Sequence, residues 1–258
     1  MFDIKDDGVK VLLTNDDGID SLALTRLSNE LIKEFEVMIV APSFNCSGAS
    51  HSFTTDKAIK VKENYNFNCK AFEVEGQPVD CVKFAILNLK EFCPDIVVSG
   101  VNLAHNLGTD TLYSATLSQA IEGAYFDKIS FAFSTYSKKE DYFDEFATIA
   151  VKIIKELLLF SKPGDVYNVN FPKSKVKIKG VKITRLCKVY YNDKYVKVGD
   201  NEYLLKGEPI GYNSFNNLDV KDCDYYWLQK GYVTITPISI DKTDNNLLFN
   251  LRNLCIKL

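Results

Sequence analysis

Two adjacent carboxylates, Asp16 and Asp17, stand between Asn15 and Gly18 in the sequence Asn-Asp-Asp-Gly. Like charges side by side are costly unless a cation or a proton neutralises one of them. Hard divalent cations such as Mg²⁺ or Mn²⁺ prefer oxygen ligands of this kind. An Asp-Asp-Gly turn after a strand is also a common helix cap, so the motif alone leaves a metal site and a capping turn open.

Two further loops supply hydroxyl and amide oxygens. The small, polar loop Ser43–Ser52 includes Ser47, and the loop Val101–Asp110 includes Asn102. Taken singly, the first is typical of a flexible connection and the second of a turn. All three loops follow short apolar runs, and ligands of open α/β sheets bind outside the carboxyl ends of the strands. Their convergence therefore predicts a divalent-cation site.

The apolar runs predict buried parallel strands, and the segments between them predict helices. The strongest helical pattern is Tyr142–Phe160, in which apolar residues recur every three to four positions. Strands that alternate with helices predict a doubly wound, mostly parallel sheet. The predicted strands are Val9–Thr14, Glu36–Ala41, Ile96–Ser99, Ile129–Ser134 and Val166–Val169, and the predicted helices are Ser21–Phe35, Pro78–Lys90, Tyr113–Phe126 and Tyr142–Phe160.

The pattern changes after about Pro172. Val176–Thr184, Val189–Val198 and Tyr232–Ile235 predict β-rich excursions separated by Gly, Asn and Asp. We therefore expect one α/β domain over residues 1–258. It has a doubly wound core over residues 1–172, with helices on both faces of the sheet, and a β-rich extension and C-terminal segment over residues 173–258. Unpaired strand edges in the extension predict pairing with a second copy of the chain.

Composition narrows the class of protein. Lys and Arg number 31 against 34 Asp and Glu, which gives a net charge of -3 and no electrostatic reason to bind a nucleic-acid polymer. The charged N-terminal stretch and the lack of any long apolar run predict a cytoplasmic protein with no membrane partner. Seven cysteines without a zinc-type spacing predict reduced thiols.

Several longer strings resemble the SurE survival-protein family of nucleotidases. They run in the family's order from LLTNDDGI through VAPSFNCSGASHSFT, GQPVDCVKFAI, PDIVVSGVN and NLGTDTLYSAT to NVNFP, and GYVTITPIS with Thr243-Asp244 matches the C-terminal part. The resemblance covers nearly the whole chain. It implies a Rossmann-like fold whose C-terminal hairpin extension is exchanged between subunits, in a homodimer or homotetramer.

The resemblance also implies a ligand set and a reaction. One Mg²⁺ or Mn²⁺ ion per subunit would be held by Asp16, Asp17, Ser47 and Asn102, and the two aspartates are also the expected catalytic residues. The implied reaction is the hydrolysis of nucleoside monophosphates, or of similar phosphate esters, by metal-activated water. The implied activity is that of a 5′/3′-nucleotidase, a phosphoric monoester hydrolase.

The substrate phosphate is expected near Asn106 and the helix start at Ser114, because helix N-termini favour phosphate through free N–H groups and the macrodipole. The chain departs from the family pattern beside this pocket, at Cys46, Leu103-Ala104 and Ala115, and also at Asp20–Ala23. These departures leave base preference, the choice between 3′ and 5′ phosphates and activity on polyphosphate open. A nucleotide- or phosphate-binding protein with little or no turnover is the alternative.

Other chemistries fit the residues less well. A haloacid-dehalogenase-type phosphatase needs an aspartate nucleophile where this chain has Asn15. No GxGxxG follows the first strand and no GxxxxGK[ST] occurs, which argues against a Rossmann dehydrogenase and a P-loop enzyme. His51 and His105 are candidate general acids and Cys46 a candidate nucleophile, but we interpret all three as structural or incidental.

Overall fold

The computed structural model describes residues 8–137, 142–173, 176–215 and 218–251. The strands are β1 (Lys10–Thr14), β2 (Glu36–Pro42), β3 (Lys60–Glu63), β4 (Lys70–Glu75), β5 (Ile96–Asn102), β6 (Ile129–Ser134), β7 (Val166–Asn170), β8 (Val181–Ile183), β9 (Cys187–Tyr191), β10 (Lys194–Gly199), β11 (Glu202–Lys206), β12 (Pro209–Ser214) and β13 (Val233–Ile238). The α-helices are α1 (Leu22–Leu31), α2 (Pro78–Asn88), α3 (Ala115–Tyr125), α4 (Phe143–Leu158), α5 (Asp224–Gln229) and α6 (Asn245–Leu251). Within the described residues, 3₁₀ helices also cover Gly108–Leu112 and Val220–Asp222.

The described strands form a central sheet in the order β3-β4-β2-β1-β5-β6-β7-β13-β8. Its middle, from β4 through β7, is parallel. The strands β3 and β13 run antiparallel to their neighbours β4 and β7, and β8 runs parallel to β13. The predicted mostly parallel α/β fold is therefore confirmed, and all five predicted strands and four predicted helices are present.

Neighbouring residues of each central strand pack on opposite faces of the sheet. Leu13 belongs to the core that α1 and α4 cover, whereas Leu12 belongs to the core that α2 covers. Both side chains are fully buried, which explains why the strands are continuous apolar runs without alternation. Because side chains fill both faces, ligands can reach this sheet only at its ends.

The strands after Pro172 have different boundaries and partners from those that the sequence predicts. The predicted segment Val189–Val198 is two strands, β9 and β10, because the chain turns at Asn192, whose side chain accepts a hydrogen bond from the backbone N–H of Glu208 at 2.7 Å. The strands β9 and β12 pair with each other, as do β10 and β11. The predicted segment Tyr232–Ile235 instead enters the central sheet as β13, beside β7.

The extension is fixed to the loop that precedes α3. The backbone N–H of Gly108 donates a hydrogen bond to Oδ2 of Asp224, a fully buried carboxylate, at 2.8 Å. Val189 N donates to Oγ1 of Thr109 at 3.1 Å, and the hydroxyl of Tyr191 donates to Oδ2 of Asp110 at 2.5 Å. Residues from β9 and α5 thereby set the position of the 3₁₀ helix that leads to the start of α3.

The close approach of β9 requires a glycine at position 108. Gly108 has φ +49, and a Cβ atom there would lie 2.2 Å from the carbonyl oxygen of Cys187. Real atoms never approach so closely, and the partner is backbone that cannot rotate away. Any larger residue would force β9 off the 3₁₀ helix.

We expect Gly108→Ala to lower the free energy of unfolding by about 2–4 kcal/mol, the sum of a left-handed alanine and a backbone clash. Gly164→Ala is the matched control, because Gly164 also has positive φ but its added Cβ would have its nearest neighbour at 4.0 Å. The control should lose only about 1 kcal/mol. Urea unfolding of both variants tests this, and equal losses would contradict it.

Candidate metal and phosphate site

The Asn-Asp-Asp-Gly motif forms a tight turn directly after β1. The side-chain amide of Asn15 donates a hydrogen bond to the carbonyl oxygen of Gly18 at 2.8 Å, which closes the turn. Asp16 is buried, with 3% of its surface exposed, and Asp17 is half-buried. The N–H of Cys46 donates to the backbone carbonyl of Asp16 at 2.7 Å, so the loop after β2 lies directly on this turn.

The carboxylate of Asp16 is held in an environment that disfavours its charge. Burial, partly offset by a hydrogen bond from Thr116, raises its pKa to about 6, and the neighbouring charge of Asp17 adds to the rise. The hydroxyl of Thr116, itself fully buried in the first turn of α3, donates to Oδ1 of Asp16 at 2.8 Å. Asp16 therefore joins the end of β1 to the start of α3 and is poorly compensated without a cation.

Asp17 brings the three predicted loops together. Its Oδ1 accepts a hydrogen bond from the amide of Asn45 at 3.1 Å, and the Oδ1 atom of Asn45 in turn accepts from the N–H of Ser47 at 2.9 Å. A backbone hydrogen bond from Leu103 lowers the pKa of Asp17, although burial raises it overall. Ser47 and Asn102 are thus each within two residues of a direct partner of Asp17, as the shared edge of the sheet predicts.

Some side-chain oxygens of this turn accept no hydrogen bond and could face a cation. Among the described residues, Oδ2 of Asp17 and Oδ1 of Asn15 are buried without a hydrogen-bond partner. A buried lone pair of this kind is costly unless something positive faces it. Within the same residues no group of three or more His, Cys, Asp or Glu side chains forms a metal cluster. The site therefore offers two carboxylates with neutral oxygens, a composition that favours a hard ion such as Mg²⁺ or Mn²⁺.

Ser114 lies at the N-terminus of α3, where helix geometry exposes backbone N–H groups. It is the N-cap residue, and its Oγ accepts from the N–H of Leu117 at 3.0 Å. The predicted helix start is confirmed, with the first helical residue at Ala115. Because the cap uses Ser114 Oγ only as an acceptor, its O–H group can still donate a hydrogen bond to another group.

Asn106 is buried, and its hydrogen bonds fix the loop between β5 and the 3₁₀ helix. Its amide donates to Oγ of Ser134 at 2.8 Å, and its backbone N–H donates to Oδ1 of Asn170 at 2.9 Å. Its carbonyl accepts from the amides of Asn168 and Asn170. These two asparagines belong to the Asn-Val-Asn string of β7. The predicted strand ended at Val169, and β7 extends to Asn170, so the two asparagines alternate on one buried strand.

Gln119 is a second buried support that the sequence analysis missed. Its side-chain nitrogen donates to Oγ1 of Thr14, to the carbonyl of Asn15 and to the carbonyl of Pro78, at 2.6, 3.0 and 3.0 Å. Its oxygen accepts from the hydroxyl of Ser99 at 2.8 Å. One amide thus joins the ends of β1 and β5 to the start of α2.

His51 is a structural anchor of the loop that carries Ser47. Its Nε2 lies 2.8 Å from Oε2 of Glu122 on α3, and the second oxygen of Glu122 accepts from Lys83 on α2 at 2.9 Å. The loop is tied further by Ser50, whose hydroxyl donates to the carbonyl of Leu112 at 2.8 Å. The structural interpretation of His51 agrees with these contacts.

His105 and Cys46 are also unsuited to the chemistry weighed for them. Nε2 of His105 lies 2.8 Å from the carbonyl oxygen of Phe171, and burial lowers its pKa to about 4, so it is uncharged near neutral pH. Burial and the charge of Asp16 raise the pKa of Cys46 to about 11, which keeps it a thiol. Asp244, another residue of the family strings, caps α6 by accepting from the N–H groups of Asn246 and Leu247.

The loops that carry Asp16, Asp17, Ser47 and Asn102 meet at one edge of the sheet, and comparison with known proteins agrees with the strings that contain them. A family model described as "Survival protein SurE" matches residues 11–193. The chain belongs to the SurE family. A SurE protein from Aquifex aeolicus has a similar crystal structure, with a TM-score of 0.77, 32% identity and coverage of 94% of this chain and 98% of that chain.

Curated SurE relatives match over almost their whole length. The "5'-nucleotidase SurE" of Clostridium beijerinckii is 36% identical, covering 93% of this chain and 96% of that protein. The protein of the same name from Clostridium tetani is 37% identical, with coverage of 95% and 99%. That of Legionella pneumophila is 35% identical, with coverage of 95% and 97%. The SurE resemblance seen in the sequence is confirmed.

The raised pKa of Asp16 predicts a pH-dependent cost in the metal-free protein. The folded pKa of about 6 exceeds the ordinary value of 3.8, so the folded state holds its proton longer than the unfolded state. Stability is therefore unaffected below about pH 4, falls as the pH rises towards 6 and stays lower above it. In excess EDTA at pH 8, Asp16→Asn should raise the free energy of unfolding by roughly 2 kcal/mol.

Urea unfolding at pH 4 and pH 8 checks this expectation. Most of the gain should be lost at the lower pH, where Asp16 is protonated in the folded state and, with its ordinary pKa of 3.8, is close to half-protonated in the unfolded state. Asp20→Asn removes an exposed carboxylate from the same segment and should leave stability unchanged at both pH values. A variant Asp16→Asn that is less stable than the wild type at pH 8 would contradict the assigned cost.

Proposed function

We propose that this SurE-family chain is a cytoplasmic, metal-dependent phosphatase of nucleoside monophosphates. The observation that carries the proposal is the Asp17 carboxylate, which contacts two other loops and keeps a buried oxygen without a partner among the described residues. Curated relatives of similar length are named 5'-nucleotidase SurE. The six described cysteines are free thiols, as is usual in a reducing compartment.

The residues that would hold the cation are Asp16, Asp17, Ser47 and Asn102. When bound, the ion would supply Lewis acidity and lower the pKa of a coordinated water. The protein's part is to hold the ligand residues in place: Thr116 holds Asp16, Asn45 holds both Asp17 and the backbone N–H of Ser47, and the amide of Asn102 donates to the carbonyl of Ala104 at 2.8 Å.

The substrate phosphate would lie against the N-terminus of α3. Backbone N–H groups of its first turn and the positive end of the helix favour an anion. Ser114 can donate its hydroxyl proton to a phosphate oxygen, because the oxygen alone is used for the cap. Asn106, whose amide already donates to Ser134, contributes by fixing the loop beside the phosphate.

Metal removal is the first test of this proposal. Excess EDTA should abolish phosphate release from nucleoside monophosphates, and Mg²⁺ or Mn²⁺ should restore it. Asp16→Asn or Asp17→Asn should lower kcat by several orders of magnitude, since both remove a charged ligand. Asn102→Ala deletes a neutral ligand and should have a smaller effect. Phosphate release with a set of nucleotides and divalent ions measures all of these changes.

Two results would contradict the mechanism. Wild-type turnover by Asp16→Asn, or activity that persists in excess EDTA, would show that the aspartates do not hold an essential ion. A phosphorylated residue trapped in stoichiometric amount during turnover would show that the protein itself attacks the phosphate. Circular dichroism of each variant is the control for folding.

We also propose that the functional enzyme is a homodimer or homotetramer formed through the extension. An isolated two-stranded sheet is marginal in water, yet β10 and β11 pair only with each other among the described strands. They expose large apolar side chains such as Tyr195, Tyr203 and Leu205, with 71%, 60% and 52% of their surface accessible. A second copy of the chain would cover this surface.

Light scattering coupled to size exclusion should therefore give at least a dimer. The double variant Tyr195→Ser/Tyr203→Ser should shift the assembly towards monomer, because it removes apolar surface that the contact would bury. Tyr65→Ser is the control, since Tyr65 is 84% exposed near the opposite edge of the sheet. A wild-type mass that stays monomeric at all concentrations would contradict the proposed assembly.

A further inference from the structure

Three large apolar side chains are exposed on the loops that surround the proposed phosphate site. Phe44 is 52% exposed, Leu112 is 64% exposed and Tyr113 is 68% exposed. We call these three residues the apolar rim. Exposed apolar side chains on loops that border a polar site are typical of a ligand or partner contact.

Phe44 is held at the edge of the proposed metal site by its neighbours on both sides. A Cβ atom on Gly18 would lie 3.3 Å from the carbonyl carbon of Phe44, so the two backbones touch. The next two residues contact the aspartates directly: Asn45 donates to Asp17, and the N–H of Cys46 donates to the backbone of Asp16. The position of Phe44 is thus coupled to the site, whereas its ring is free to contact a substrate.

Leu112 and Tyr113 reach the same site from the loop before α3. Ser50 connects them to the loop that carries Phe44, because its hydroxyl donates to the carbonyl of Leu112 and its N–H donates to the carbonyl of Tyr113 at 3.2 Å. Tyr113 directly precedes Ser114, the N-cap of the helix proposed to hold the phosphate. Among the described residues, neither Phe44 nor Tyr113 stacks on another aromatic ring.

The charge of these loops favours a neutral group as the ligand of the rim. No Lys or Arg occurs in residues 15–25, 43–52 or 99–123, which supply the site, and the same ranges contain the acidic residues Asp16, Asp17, Asp20, Asp110 and Glu122. Lys83 approaches them from α2, but it is paired with Glu122 at 2.9 Å. Beyond the phosphate, the loops therefore offer a substrate aromatic and aliphatic surface and no cation. A neutral, planar group with apolar faces matches that surface. Aromatic side chains stack on such groups whatever hydrogen-bonding groups lie at the edge of the ring.

We infer that the apolar rim is the nucleobase subsite, with Phe44 as its main stacking surface. This inference rests on the proposed nucleotidase function and names the part of the substrate that the rim recognises. The ribose separates the base from the phosphate, so a phosphate at the start of α3 leaves the base at the periphery of the site, where the rim lies. Stacking without hydrogen-bond readout makes the enzyme tolerant of different bases.

The test compares two substrates that differ only in the base. For adenosine 5′-monophosphate, Phe44→Ala should lower kcat/KM about tenfold, mostly through KM, and Tyr113→Ala should lower it less. For ribose 5-phosphate, which has no base, both variants should retain wild-type kcat/KM. Phe44→Trp, unlike Phe44→Ala, should keep the wild-type preference for adenosine 5′-monophosphate over ribose 5-phosphate, because the indole ring can also stack on a base. A merely structural role of Phe44 would instead change both substrates equally.

Tyr136→Ala is the matched control. Tyr136 is 49% exposed and follows Thr135, whose N–H donates to the carbonyl of Asn102, but its ring is already covered by Nζ of Lys173 at 4.7 Å. The ratio of the two kcat/KM values should stay unchanged in this variant. If Tyr136→Ala changes the ratio and the rim variants do not, the subsite lies elsewhere and the inference is overturned.

Two further outcomes would overturn the inference. Equal losses on both substrates would assign Phe44 a structural role, and a change of oligomeric state in Phe44→Ala would assign the rim to a subunit contact. A failure of the proposed phosphatase function can be told apart from a failure of this inference, because the wild type would then release phosphate from neither substrate. In that case, calorimetric titration with adenosine still tests the rim, which predicts weaker binding by Phe44→Ala than by the wild type.

Discussion

The burial of two neighbouring carboxylates at the end of β1 is the constraint on which the site depends. Asp16 is almost fully buried, and this burial raises its pKa to about 6 because the hydrogen bond from Thr116 compensates its charge only in part. Asp17 keeps one buried oxygen without a partner among the described residues. Carboxylates perturbed in this way are common at functional sites, where a bound ligand can relieve the cost and the rest of the structure maintains the arrangement.

The surrounding polar network keeps this arrangement rigid. Gln119 joins the ends of two strands to the start of α2, and Thr116 connects α3 to Asp16. Asn170 holds both the N–H and the carbonyl of Asn106. Because these groups satisfy one another away from water, a loop can move only by losing several hydrogen bonds together. The oxygens are therefore pre-positioned for a cation, and little ordering cost remains when it binds.

The β-rich extension is connected by hydrogen bonds to the loop that leads to the proposed phosphate site. Asp224 and Tyr191 contact the 3₁₀ helix at Gly108 and Asp110, and that helix leads directly into the N-terminus of α3. A change in how the extension packs would thus reach the proposed phosphate site through only a few residues. If two subunits associate through their extensions, as we propose, assembly would fix the start of α3 as well as the subunit contact.

The sequence by itself determined the five parallel strands and four helices of the core, the edge of the sheet that carries the polar loops, and the resemblance to the SurE family. It could do so because buried strands read as apolar runs and because ligand loops follow the carboxyl ends of parallel strands. The four proposed ligands and the helix start at Ser114 lie in motifs a few residues long, which local reading can find. Their roles as ligands remain proposals.

Only the tertiary structure decided what those residues contact. The partner of Asp16 is Thr116, 100 residues away, and the nitrogen of Gln119 contacts groups 105, 104 and 41 residues away. Nothing local marks such pairs, because a buried threonine or glutamine in a helix looks like any other polar residue. The entry of β13 beside β7 and the need for glycine at position 108 also depend on packing between distant segments. Local periodicity predicts elements, whereas side-chain partners depend on how the whole chain closes around them.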